Sequence, residues 1–216
     1  MPEEPMELAA VLPLNEIRTY FSSEVAIEEL RKSDIERIEK ECASDVFSLA
    51  INCAIRAKQI YQLDLDFSPL APYIPSRNPK IHRTLGSLLG QDSIDDIYCC
   101  RCTVNDQLVA PLLIAQVWPR DLYIGMVMFA DPSQPIPAEE RKSIRQKFRG
   151  LGLLSKFIER VETCAAARGC RNITLIANET TLMMLFSKYG FEVDKHLSAQ
   201  TQLAEGKAIP MHKAIV

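Results

Sequence analysis

Three runs of strand-forming residues follow one another in the middle of the chain: "DIYCCRCTVN", "LVAPLLIAQVW" and "LYIGMVMF". Only Asn105-Asp106 and Pro119-Arg120-Asp121 separate them as turns. Connections that short join antiparallel neighbours. The third run is apolar on both faces, whereas a strand with one wet face alternates, so this run predicts a central strand covered on both sides. Such a meander obliges the rest of the chain to supply helices for two faces of a sheet.

The flanking segments read accordingly. "VAIEEL" predicts a strand, and Ser33 with Glu36 has capping-box spacing for a helix after it. The apolar stripe Ile35, Ile38, Cys42, Val46, Leu49, Cys53 carries that helix to about Ile60, where the proline-rich "FSPLAPYIPSRNPK" ends it as an irregular connection. "IHRTLGSLLG" reads as a second, short helix. After the meander comes the long connection "ADPSQPIPAEERKSIRQKFRG", in which Ile144 and Phe148, four apart, predict a short helix with Pro137 near its start. Leu154, Phe157, Ile158, Val161 and Ala165 then form one helical face, and Gly169 suits the cap that closes it. "RNITLIAN" reads as a strand, "TTLMMLFSKYG" as an amphipathic helix, and "FEVDKHL" and "IPMHKAIV" as closing strands. Together these predict an α/β fold: a mixed, mainly antiparallel central sheet flanked by helices on both faces. Residues 1–23 carry little pattern and read as an N-terminal extension to a single domain over 24–216.

Composition narrows the function. At 216 residues with 47 % hydrophobic and 25 % charged, the chain has the balance of a globular domain. A net charge of −3, with no base-stacking or groove-reading pattern, argues against a nucleic-acid partner. No apolar run approaches the roughly 18–20 residues that cross a bilayer, so no membrane partner is expected. The acidic, proline-bearing start lacks the character of a targeting leader. Seven cysteines, none in Cys-x-x-Cys spacing, read as buried thiols in a reducing, cytoplasmic setting rather than a metal site. In a strand over 97–105, Cys100 and Cys102 share a face and Cys99 points away, so the three thiols do not converge.

The stretch most suggestive of chemistry is "FRGLGLLSKF", residues 148–157. A helix N-terminus exposes unpaired N–H groups and partial positive charge, and so receives anions. Gly150 and Gly152 keep side chains away from that backbone, and Arg149, Lys147 and Arg145 add full charges. Each charge at a helix end is worth only about 0.3–1 kcal/mol, so several must act together. A Gly-x-Gly turn into a helix is also an ordinary structural device. The basic run over 138–149, five basic residues against two acidic, reads either as a solvated helix face or as a surface that meets phosphates.

Arg149-Gly150-Leu151-Gly152-Leu153-Leu154 resembles the Gln/Arg-x-x-Gly-x-Gly/Ala motif of the GNAT superfamily of acyl-CoA-dependent N-acyltransferases, matching its first five positions. "LLSKFIERVETCAAARGC", "LMMLFSKYGFEV" and "VAIEELRKSDIERIEKEC" are similar to the family's following helix, its later Leu-Tyr-x-x-x-Gly-Phe segment and its opening strand and helix. The resemblance spans about residues 24–214 and is strongest over 122–193. It implies acetyl-CoA, or another acyl-CoA, as co-substrate without a metal. The coenzyme's pyrophosphate would meet Arg149, Gly150, Leu151, Gly152, Leu153 and Leu154, and a primary amine would attack the thioester directly. It further implies that a backbone N–H among Val127, Met128 and Phe129 steadies the oxyanion. A small-molecule or peptide amine is the implied partner, and a homodimer is among the assemblies the family allows.

Three residues depart from the family pattern. Leu154 stands where Gly or Ala is usual, which makes bulk at the pyrophosphate the issue there. Phe186 stands at the position of the tyrosine that often protonates the leaving thiolate, and Tyr189, three residues on, occupies a different place on the helix. "LYIGMVMF" lacks the glutamate that serves some relatives as base, which leaves Asp131, Glu179 and His196 as catalytic candidates. His82 and His212 read as surface or structural, and Met183-Met184 as core. Two functions therefore stay open: an N-acyltransferase acting on an unidentified amine, and a catalytically silent domain of the same fold that binds acyl-CoA or a protein partner.

Overall fold

The computed structural model describes residues 6–34, 37–38, 94–117, 120–143 and 146–215. Of the helix expected from Ser33 to about Ile60, Ser33 and Asp34 fall in a 3₁₀ turn (Lys32–Asp34) and Arg37 and Ile38 are helical; the rest of it, the proline-rich connection, the short helix at "IHRTLGSLLG" and His82 lie outside the described residues.

A seven-stranded sheet organises the molecule. Its strands are β1 (Ala26–Arg31), β2 (Ile94–Val104), β3 (Gln107–Val117), β4 (Asp121–Val127), β7 (Asn172–Ala177), β8 (Glu192–Val193) and β9 (Ile209–Ala214), in the order β1-β2-β3-β4-β7-β9-β8. All neighbours are antiparallel except β4 and β7. The expected meander is β2–β3–β4, and β4 stands at the middle of the sheet. Asn105 and Asp106 close the first hairpin with φ of 49° and 60°, the left-handed pair that matches the twist of the strands it joins.

Both faces of the sheet are buried, as the apolar centre requires. Cys100, Cys102, Leu112, Ile114, Leu122, Ile124, Ile173, Leu175 and Met211 face one core, while Cys99, Ile97, Leu113, Ala115, Val117 and Tyr123 face the other with Ile38. The alternation of the cysteines is thus the expected one. The first core is covered by helix α3 (Leu154–Ala167), which buries Phe157, Ile158, Val161 and Ala165, and by α4 (Thr180–Ser187), which buries Phe186. Gly169, with φ of 63°, follows the α3 C-terminus as the closing turn. Met183 packs against this core and Met184 is exposed.

The stretch expected as an extension, 1–23, contributes two helices, α1 (Leu8–Val11) and α2 (Leu14–Phe21). Met6, Val11, Leu12 and Ile17 are buried in the first core. Glu16 on α2 pairs with Lys156 at 3.2 Å and Arg160 at 3.4 Å on α3, and Arg160 also donates to the Leu12 carbonyl at 3.3 Å.

Two expectations are corrected. The long connection after β4 is a hairpin of β5 (Ala130–Pro135) and β6 (Phe148–Gly150), with a single 3₁₀ turn at Ala138–Glu140 after Pro137. Pro132 and Pro135 hold the first strand extended, and Phe148 lies in the second because it pairs with Pro135 across the hairpin. At the other end, "FEVDKHL" yields only the two-residue β8, and helix α5 (Leu197–Glu205) follows. His196 caps it by accepting the Ala199 N–H at Nδ1, 3.0 Å away, and Gly206 ends it at φ of 67°.

Candidate functional site

The central pair of strands comes apart. The β4–β7 ladder runs from Asp121↔Asn172 to Ile124↔Leu175 and stops there, although β4 continues to Val127 and β7 to Ala177. Beyond the last rung each strand pairs only with its outer neighbour, Leu112 and Leu113 for β4, Pro210 and Ile209 for β7. A split therefore opens off the carboxyl ends of two parallel strands, the place where open α/β sheets receive ligands. The Met128 N–H donates to the Pro111 carbonyl at 3.2 Å on the β3 side. Strand N–H groups alternate between edges, so the Val127 N–H is on the edge toward the split.

The glycine turn borders this opening. After β6 the Leu151 N–H donates to the Phe129 carbonyl at 3.0 Å, tying the turn to the end of β4. Gly152 then takes φ of +71° with nothing within 4 Å of a Cβ placed there, so its requirement is conformational. At Gly150 a Cβ would meet the Phe129 carbonyl at an ordinary 3.7 Å. The first helical bond of α3 is Phe157 N–H to the Leu153 carbonyl, at 3.0 Å. Among the described residues, the N–H groups of Gly152, Leu153, Leu154, Ser155 and Lys156 have no acceptor. The side chains of Leu151, Leu153 and Leu154 pack against the first core, so the bulk of Leu154 is directed inward, away from the exposed amides.

Arg149 stands exposed before the turn with no hydrogen bond or ion pair among the described residues. Its ladder partner is Asp131, and the two do not pair because the carboxylate is already engaged. Asp131 accepts from the Ser133 hydroxyl at 2.6 Å and N–H at 2.9 Å, the Gln134 amide at 2.7 Å and the Tyr20 hydroxyl at 3.1 Å. These donors, Ser133 first, hold its carboxyl below the usual range despite the opposing effect of burial. The Tyr20 hydroxyl is pushed up in turn, mainly by its bond to Asp131. Asp131 therefore ties α2 to the hairpin and is a poor proton acceptor.

The other two candidates differ from it. His196 uses Nδ1 to cap α5, and its Nε2 lies 3.4 Å from Asp194. Glu179 immediately precedes α4, just past the end of β7, and its carbonyl accepts from Leu182 and Met183, each at 3.1 Å. Its carboxylate Oε1 is out of solvent and without a hydrogen-bond partner among the described residues. Phe186, at the expected acid position, packs edge-on against Phe191 with centroids 5.7 Å apart.

Two features escaped the sequence. Asp194, 1 % exposed, holds His212 Nδ1 at 2.6 Å as well as His196, joining the start of α5 to β9. A cavity of about 400 Å³ lies between Glu179 and the hairpin residues Ala138, Arg141, Lys142 and Ser143. The first would show only as three polar residues with no shared period, the second only as charges scattered over distant segments. Among the described residues no three His, Cys, Asp or Glu side chains converge as a metal site, and no helix is long and apolar enough to cross a membrane.

No protein-family model and no curated protein matches the chain. Solved structures do. An acetyltransferase of GNAT family from Staphylococcus aureus Mu50 is similar at 10 % identity, with 89 % of this chain and 100 % of that one covered and a TM-score of 0.41. The PaiA N-acetyltransferase of Thermoplasma acidophilum, in complex with coenzyme A, is similar at 12 % identity over 88 % and 99 % of the two chains, with a TM-score of 0.36. The aminoglycoside 6'-N-acetyltransferase of Enterococcus faecium is similar at 11 % identity over 88 % and 97 %, with a TM-score of 0.35. At these identities and TM-scores the likenesses carry no weight for the chemistry, which has to come from the split strands and the glycine turn. All three of these structures, similar to this mixed α/β chain, are acetyltransferases, and the first is of the GNAT family.

Proposed function

We propose that the chain is an N-acyltransferase that moves an acyl group, acetyl in the first instance, from acyl-CoA to a primary amine. The observation that carries this reading is the unpaired N-terminus of α3, set beside a split in the sheet, with Leu154 turned into the core. Gly152 to Lys156 supply N–H donors and Arg149 a full charge for a pyrophosphate. From there the pantetheine arm enters the split, whose two edges have unsatisfied strand hydrogen bonds to offer.

In this reading the thioester carbonyl lies at the Val127 N–H, which stabilises the negative charge formed when the amine adds. Glu179 receives the proton that the amine gives up, because its carboxylate is the one candidate beside the split that no donor occupies. A lysine-like amine with pKa of about 10.4 costs roughly 4–5 kcal/mol to deprotonate at pH 7. A positioned base contributes about 10²–10⁴-fold. With Phe186 at the usual acid position, the departing thiolate takes its proton from solvent.

Phe186 also favours a second reading, a domain that binds acyl-CoA and does no chemistry. One experiment separates them. Calorimetric titration with acetyl-CoA is expected to show binding that Gly152→Glu abolishes, and free-thiol release across an amine panel is expected to follow. Binding without thiol release for any amine supports the second reading. No binding by folded protein overturns both.

A further inference from the structure

The hairpin that replaces a simple connection between β4 and α3 does more than lengthen the chain. It reaches the end of β7, and the open groove between them has charges of both signs on its walls. Glu179 lies on the β7 side. Arg141 and Lys142 lie on the hairpin side. At about 400 Å³ the cavity is in the range of small-molecule sites, roughly 300–1,000 Å³.

The two walls are held in place by backbone bonds rather than by each other. The Ile136 N–H donates to Lys147 at 2.9 Å, and the Lys142 N–H to the Gln146 side chain at 2.9 Å. Arg141 spends Nε on the Ile136 carbonyl at 3.0 Å, which leaves its terminal nitrogens without a partner among the described residues. The Lys142 ammonium has none either. Glu179 forms no ion pair with these cations and leaves Oε1 unsatisfied. Glu139 and Glu140 are exposed on the preceding turn and do not line the cavity.

A carboxylate that no donor meets asks for a charged one, and a guanidinium with free terminal nitrogens suits an anionic, planar acceptor. One ligand that answers both is a small zwitterion. We propose that this cavity selects the acceptor, and that the acceptor is an amine carrying its own carboxylate, an α-amino acid. Its amine lies at Glu179, beside the split, and its carboxylate at Arg141 and Lys142. Polyamines and other polycations, which satisfy Glu179 alone, meet two like charges across the cavity and are disfavoured. This inference rests on the acyl-transfer reading for what happens to the bound amine, and the hairpin then determines substrate choice.

The test uses the full-length chain with and without acetyl-CoA. Saturation-transfer NMR is recorded with L-alanine, L-alaninamide, N-acetyl-L-alanine and spermidine, followed by free-thiol release with the same four compounds. L-alanine is expected to bind at least tenfold more tightly than L-alaninamide or N-acetyl-L-alanine, and to release thiol. The pair of exposed substitutions Arg141→Ala and Lys142→Ala is expected to bring the alanine-to-alaninamide ratio close to one. Glu179→Gln is expected to weaken both ligands about tenfold. Equal binding of alanine and alaninamide, preference for spermidine, a ratio unmoved by the double substitution, or no binding of any probe to protein that holds acetyl-CoA overturns the proposal. Selective alanine binding by protein that fails to bind acetyl-CoA keeps the cavity and overturns acyl transfer instead.

Discussion

Two carboxylates belong to the neighbourhood of the split, and their surroundings are opposite. Asp131, in the first rungs of the hairpin, is 4 % exposed and accepts from the hydroxyls of Ser133 and Tyr20, the Ser133 N–H and the Gln134 amide. Glu179, just past the end of β7, has an oxygen hidden from solvent that accepts from nothing among the described residues. A carboxylate surrounded by donors holds structure together and gives up its affinity for protons. One left unsatisfied costs the resting protein stability and is open to a donor that a ligand brings. Under the proposed function, that difference separates a structural acid from a functional one better than either residue's place in the sequence does.

Substitutions can break that contrast. The largest effect is expected at Glu179→Gln, which should lower turnover with acetyl-CoA and an accepted amine by about a hundredfold. Its urea midpoint should stay within the equivalent of about 1 kcal/mol, because the native interactions of that side chain are few. Equal loss of stability and turnover would make Glu179 structural and collapse the distinction. Asp131→Ala should do the reverse, costing about 2–3 kcal/mol in urea unfolding as its buried donors lose their acceptor.

The acid limb of stability sharpens the comparison further. The Asp131 carboxyl is lowered in the folded protein, so its contribution is complete above the unfolded value, about 3.9. That contribution is lost as pH falls through the lower folded value. In Asp131→Asn, unfolding free energy should therefore fall less steeply below about pH 4 than in the parent, as read by denaturant titration at stepped pH.

Smaller effects are expected elsewhere. Gly152→Ala places a Cβ at φ of +71° in open space, so it should cost about 1–2 kcal/mol of stability through conformation alone. Glu16→Ala removes half-exposed pairs to Lys156 and Arg160 and should cost no more than about 1 kcal/mol in thermal unfolding.

What the sequence made legible was periodic or local. The β2–β3–β4 meander shows in its apolar runs and short turns, and the α3 face in the recurrence of Phe157, Ile158, Val161 and Ala165. The helix behind Gly152 is readable from ten residues, whereas that glycine reads in the sequence as room for a ligand and serves in the fold for its φ of +71°. Burial of Leu12 and Ile17 was not legible, because α2 is short and its apolar positions are few. The hairpin was misread because the four-residue spacing of Ile144 and Phe148 mimics a helix, while the pairing of Phe148 with Pro135 has no local signal. Helix α5 was missed although Gly206 marks its end, since its cap is a histidine rather than the usual serine or aspartate. The Glu179 cavity joins residues about forty positions apart through a turn with no period of its own, so only the folded chain displays it.

The short β4–β7 ladder has a kinetic consequence. It is the one parallel pairing among the described strands, and it unites an antiparallel half built from β1 to β4 with another built from β7 to β9. The β2–β3–β4 meander closes between sequence neighbours, whereas the junction must bring residues 121–124 against 172–175 across the hairpin and α3, and β1 must reach β2 from Arg31 to Tyr98. Both long-range pairings then follow the meander in folding. Amide exchange should proceed faster along the inner edge of β7 than at the β2–β3 pairing. Opening a sheet wide enough to admit a guest leaves the two halves joined by few rungs, and a bound molecule that bridges them would act as part of the fold.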